Sequence, residues 1–107
     1  MPSTRSLLAA LARLTRSDRA AAWDPVGLQF GDPDREVDRI AVCHEVSGAT
    51  TRSIIDAGPD LVVAYHPLLF RPTTRLVAGP GPGGRAFSLI SAGIGLAVTH
   101  TDFDGAP

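Results

Sequence analysis

The chain has 107 residues, 44% hydrophobic and 20% charged, a balance that supports one modest core and excludes a predominantly disordered polymer. Its formal net charge of −1 lacks the basic excess of a general nucleic-acid binder. A single cysteine, Cys43, excludes an internal disulfide framework and a multi-cysteine zinc site, and suits a reducing compartment such as the cytoplasm, the expected location.

Helix 1 is expected from Ser3 or Thr4 to Thr15, with Leu7, Leu8, Leu11 and Leu14 on one face. Residues 1–17 carry Arg5, Arg13 and Arg16 without an acid, so an organellar transit peptide is the other reading of this segment. The following stretch, Trp23 to Pro33, is read as a loop because its Pro and Gly residues oppose regular structure. Arg39 to Val46 is expected as a buried strand, and Ser47 caps a second helix through Ala57 that ends at Gly58-Pro59. Asp60 to Tyr65 is a second apolar strand, stopped by Pro67. Residues 71–84 read as irregular, Arg85 to Ala92 as a helix, and Ile94 to Thr99 as a third strand. The most apolar run, Leu61 to Phe70, is too short to cross a bilayer and is interrupted by His66 and Pro67.

Apolar strands that do not alternate, separated by short helices, predict an α/β fold over residues 1–107: a mainly parallel sheet with helices on both faces, forming a single domain. Right-handed crossovers bring the carboxyl ends of such strands to one edge, where open α/β sheets bind ligands. All three histidines, His44, His66 and His100, fall at or just past the end of an expected strand. Glu45 follows His44, and Asp102 and Asp104 follow His100. Imidazole and carboxylate together suit zinc, manganese, iron or nickel. Equally, each histidine can be a hydrogen-bonded rim residue. His44, placed mid-strand if that strand reaches Val46, reads as structural or lining.

Other chemistries are weighed against this one. All ten basic residues are arginine, so no lysine amine is available. Cys43 is either a nucleophile paired with histidine or an inert core thiol, and its apolar strand favours the latter. Gly79 to Gly84 followed by Arg85 is either a phosphate cradle or a flexible linker. It lacks the Lys and Ser/Thr of a Walker loop. Arg71, Arg75 and Arg85 around it suggest nucleotide binding, or ordinary solvated side chains.

Three ordered motifs carry a resemblance: Trp23 to Asp32 (WDPVGLQFGD), Tyr65 to Phe70 (YHPLLF) and His100 to Asp104 (HTDFD). The sequence resembles the Nif-three-like family, whose members are named GTP cyclohydrolase 1 type 2 homologues. The resemblance implies a dinuclear metal protein forming toroidal hexamers, with metal-dependent hydrolase or cyclohydrolase activity on a small molecule that could be a nucleotide. It assigns His66 and Asp104 as metal ligands and counts Tyr65 with the metal residues, at the position where the family usually carries the first histidine of a pair. It places His100 and Glu45 in catalytic roles, orienting water or moving protons, with Asp24 near the site. Glu45 stands where an aspartate is usual. The family's later histidine and glutamate ligands lie beyond Pro107, so the resemblance implies an incomplete metal site here. A homo-oligomer, a separate polypeptide carrying the remaining ligands, or a non-catalytic, truncated scaffold are the expectations that follow.

Overall fold

The computed structural model describes residues 2–15 and 27–99. Its elements run α1 (Thr4–Thr15), β1 (Gly27–Phe30), β2 (Ile40–Cys43), α2 (Gly48–Ala57), β3 (Leu61–Ala64), α3 (Pro82–Ser91) and β4 (Gly95–Val98). The four strands form one sheet in the order β1-β4-β3-β2. β2 pairs parallel with β3 in the register Ile40↔Leu61 to Cys43↔Ala64, and β3 pairs parallel with β4 from Leu61↔Gly95 to Ala64↔Val98. The expected mainly parallel α/β sheet is therefore present, and β2, β3 and β4 end on the same edge.

One strand went unanticipated. The Gly/Pro-rich stretch read as a loop contains β1, which pairs antiparallel with β4 and carries a register shift between Leu28 and Phe30. Gly27 and Gly31, at φ 96 and φ 122, supply the left-handed backbone on either side of Leu28-Gln29-Phe30. Gly31 is also required by space, since a Cβ there would lie 3.0 Å from the Gly95 Cα. Glycines at both ends of a short edge strand therefore punctuate it without abolishing it.

The helices follow their local chemistry. Ser6 N donates to Ser3 Oγ at 3.2 Å, capping α1. Thr50 N donates to Ser47 Oγ at 3.1 Å, capping α2, and Gly58 at φ 64 closes it with Gly58 N donating to the Ile54 carbonyl at 2.9 Å. α3 begins at Pro82, three residues before the expected start, inside the glycine run. Proline suits that first helical position because its missing N–H would be unpaired there anyway.

On one face of the sheet, Val62, Ala64, Leu96 and Val98 pack with Val46 and Leu68 and with Ile54 of α2 and Ala86 and Leu89 of α3. On the other, Leu61 and Ala97 meet Val37, with Leu7 and Leu8 of α1 and Leu28 and Val63 packed against them. That second face is incompletely covered at the β2 edge, where Ile40 is 47% and Val42 80% exposed. Among the described residues, no helix is long and apolar enough to cross a membrane.

Candidate functional site

β2 ends at Cys43, not at Val46, so His44 sits past the strand end and is exposed. The parallel ladder nevertheless continues for one more rung: Tyr65 N donates to the Cys43 carbonyl at 3.2 Å and His66 N to the His44 carbonyl at 2.9 Å. On the other side of β3, Thr99 N donates to the Ala64 carbonyl at 3.1 Å. Thr99 therefore lies at the same edge, immediately before His100 in the sequence. In a continuing strand, Tyr65 and His66 would point to opposite faces. The backbone bends at both residues, and their rings gather on one side with that of His44. The ring centres are 4.5 Å apart for His44–His66, 5.2 Å for His44–Tyr65 and 4.9 Å for Tyr65–His66. His44 and Tyr65 are stacked at 16°, whereas His66 stands edge-on to His44 at 89°.

Gln29 of β1 holds the loop that follows. Its Oε1 accepts from Leu68 N at 3.0 Å and Leu69 N at 2.9 Å, and its Nε2 donates to the Leu69 carbonyl at 2.8 Å. One amide thus satisfies three backbone groups directly after His66-Pro67, while Leu68 is buried in the core. The reading of this stretch as an unstructured loop hid that role. The signal available in the sequence was a single polar residue, Gln29, between the apolar Leu28 and Phe30, which pack on opposite faces of the sheet.

The structure brings together His66, Tyr65 and His44, and places exposed Glu45 next to His44 in the chain. His100, Asp104, Asp24 and Asp102 lie outside the described residues. Two imidazoles and a phenol, flanked in sequence by a carboxylate, are chemistry that fits a borderline divalent ion. Among the described residues, no group of three or more His, Cys, Asp or Glu side chains is placed to hold one.

The competing sites take on structural parts. Cys43 packs against the core, and burial pushes its thiol pKa up, with the Glu45 charge adding to the shift. That is the opposite of an activated thiolate. Arg85 spends its guanidinium on backbone, Nε donating to the Val46 carbonyl at 2.9 Å and Nη1 to the Pro80 carbonyl at 2.6 Å. It thereby ties the glycine run to the chain following β2. At the opposite edge of the sheet, a cleft of about 240 Å3 is lined by Thr4, Gly31, Arg35, Asp60 and Gly93. Arg35 and Asp60 there pair with each other: Arg35 Nη2 donates to Asp60 Oδ1 at 2.7 Å, and Nη1 donates to the Gly93 carbonyl. Asp60 Oδ2 accepts from Asp38 N at 2.8 Å and Arg39 N at 3.1 Å. These two backbone donors hold the Asp60 carboxyl below its ordinary pKa, opposed by burial and assisted by the Arg35 and Arg39 charges.

Comparison with known proteins matches the Duf34/NIF3 (NGG1p interacting factor 3) family over residues 2–107. The chain belongs to this family. A relative from Streptomyces coelicolor named "GTP cyclohydrolase 1 type 2 homolog" is 37% identical over 106 residues, covering 99% of this chain and 37% of the relative. A like-named protein of Mycobacterium bovis is 37% identical over 87 residues, covering 81% of this chain and 22% of its own length. The chain therefore spans about a third or less of these curated relatives. Among solved structures, Staphylococcus aureus protein SA1388 superposes with a TM-score of 0.89 at 30% identity, over 96% of this chain and 29% of that one. Reduced HcgD from Methanocaldococcus jannaschii shares the fold, with a TM-score of 0.85 at 24% identity, over 96% of this chain and 41% of that one.

Proposed function

We propose that this Duf34/NIF3 chain contributes to a divalent-metal-dependent hydrolase whose working edge is the carboxyl end of β2, β3 and β4. The observation that supports this reading most is the bend at Tyr65 and His66, which turns the His66 imidazole out of the strand alternation and beside a second imidazole. His66 and Asp104 are the proposed ligands of the ion. When bound, a zinc, manganese, iron or nickel ion supplies Lewis-acid polarisation of the bond to be cleaved and makes water more acidic. Glu45 and His100 are assigned to orient water and move its proton, since a carboxylate accepts a proton and an imidazole both accepts and donates one. Tyr65 lines the same edge. A small molecule with a hydrolysable ring, carbonyl or phosphoryl group, such as a nucleotide, is the proposed substrate. Cytoplasmic location and a homo-oligomer, a hexamer by family resemblance, complete the proposal. A separately encoded chain carrying further ligands is the other assembly it accommodates.

A second reading, a non-catalytic scaffold, is favoured by Tyr65 at the usual histidine position and by the absence of a three-donor group among the described residues. Metal content of protein purified without chelator separates the two. Stoichiometric metal, lost in His66→Ala, together with metal-dependent hydrolysis, supports the enzyme. No metal after incubation with excess zinc or manganese leaves the scaffold.

A further inference from the structure

We propose that His44 is a metal-ligating residue, forming with His66 a pair of imidazole donors that grips one borderline divalent ion across the β2–β3 edge. The inference rests on the metal-binding reading above and adds a ligand that the motifs do not assign.

The backbone sets up the pair. His66 N donates to the His44 carbonyl at 2.9 Å, which fixes the two residues relative to each other in the last rung of a parallel ladder. Such a ladder ordinarily aligns His44 with Tyr65, following the Cys43↔Ala64 partners. The bend at Tyr65 and His66 then swings His66 round to the same side. The resulting ring-centre separation of 4.5 Å matches one that two imidazoles on a shared ion adopt. With metal–nitrogen bonds of roughly 2.0–2.1 Å, two imidazoles at a right angle on one ion have ring centres about 4.5 Å apart. At a tetrahedral angle the separation rises to about 5 Å, a small rotamer adjustment away.

Tyr65 takes a different part. Its ring lies at 16° to that of His44 with centres 5.2 Å apart, an offset stack that supports the imidazole without requiring the phenol oxygen as a donor. A tyrosine adjacent to His66 in sequence thus acts as a wall for a histidine on the neighbouring strand. A histidine that is exposed at a strand end loses little solvation on binding an ion, and neutral imidazole is the form that binds. Two nitrogen donors favour zinc, nickel or cobalt over magnesium or calcium, which prefer oxygen.

The test is zinc binding to the whole chain, measured by calorimetry, with cobalt as a spectroscopic probe of the ligand field. His44→Phe keeps a flat ring to stack on Tyr65, so loss of folding is separable by circular dichroism. The proposal expects His44→Phe and His66→Ala each to weaken zinc binding roughly tenfold or more, with a reduced cobalt visible band, and Tyr65→Phe to bind within about threefold of the native chain. If His66→Ala loses zinc while folded His44→Phe binds it as tightly as the native chain, the His44 assignment falls and the metal reading stands. If the native chain binds neither zinc nor cobalt, both fall.

Discussion

Replacing Gln29 by leucine would release the loop after His66 while nearly preserving side-chain volume. Three hydrogen bonds vanish: those from Leu68 N and Leu69 N to Oε1, and that from Nε2 to the Leu69 carbonyl. Each is worth about 0.5–1.5 kcal/mol net, and a group left unpaired away from water costs about 1–3 kcal/mol. The loop is only partly buried, so water recovers some of that loss, and a local cost of about 1–3 kcal/mol follows. At 1.36 kcal/mol per decade this is a roughly 5- to 150-fold increase in the exchange rate of the Leu68 and Leu69 amides. Hydrogen exchange followed residue by residue reads it directly. Amides in β3 serve as the internal control, because Val62 is fully buried and lies on a strand that does not pair with β1. Unchanged protection at Leu68 and Leu69 in a folded Gln29→Leu chain would refute the claim that Gln29 holds this loop.

The remaining predictions concern the core, the ion pair and the thiol. Leu89→Ala removes a fully buried side chain of α3 and is expected to cost about 2–5 kcal/mol in urea unfolding, with the slope unchanged. Asp60, with its folded pKa lowered by the backbone donors of Asp38 and Arg39, contributes stability present above its unfolded pKa and lost as pH falls through the lower folded value. Asp60→Asn is therefore expected to unfold with a shallower dependence on acid over that range, as followed by thermal melts at successive pH values. Cys43, its thiol pKa raised chiefly by burial, is expected to react with a disulfide reagent at pH 8 more slowly than in the urea-unfolded chain, and equal rates would contradict the burial argument.

Elements whose signals were local were legible in the sequence. Ser47 and Gly58 bracket α2 because a hydroxyl cap and a left-handed glycine act within one turn. The parallel core was legible because Leu61 to Ala64 and Gly95 to Val98 are nearly all apolar, as buried parallel strands require. β1 was not, because its partner β4 lies some seventy residues away and its glycines read as breakers until the antiparallel pairing with β4 is seen. α3 began early for a related reason: Pro82 within a glycine run suggests irregularity, yet it is favourable at the first helical position. At the candidate site, His66 was marked by its place before a proline at the end of a strand. His44 reads as structural when the strand is taken to Val46, whereas the chain leaves the strand after Cys43 and the imidazole faces its neighbours.

The edge where β2 and β3 end is claimed to gather nitrogen ligands for one transition-metal ion. Anomalous scattering at the zinc edge, from crystals of the chain grown with zinc, tests that claim most directly. A peak is expected within bonding distance of ring nitrogens of both His44 and His66. A map with no peak there, or with its strongest peak in the Arg35–Asp60 cleft at the opposite edge, would contradict it.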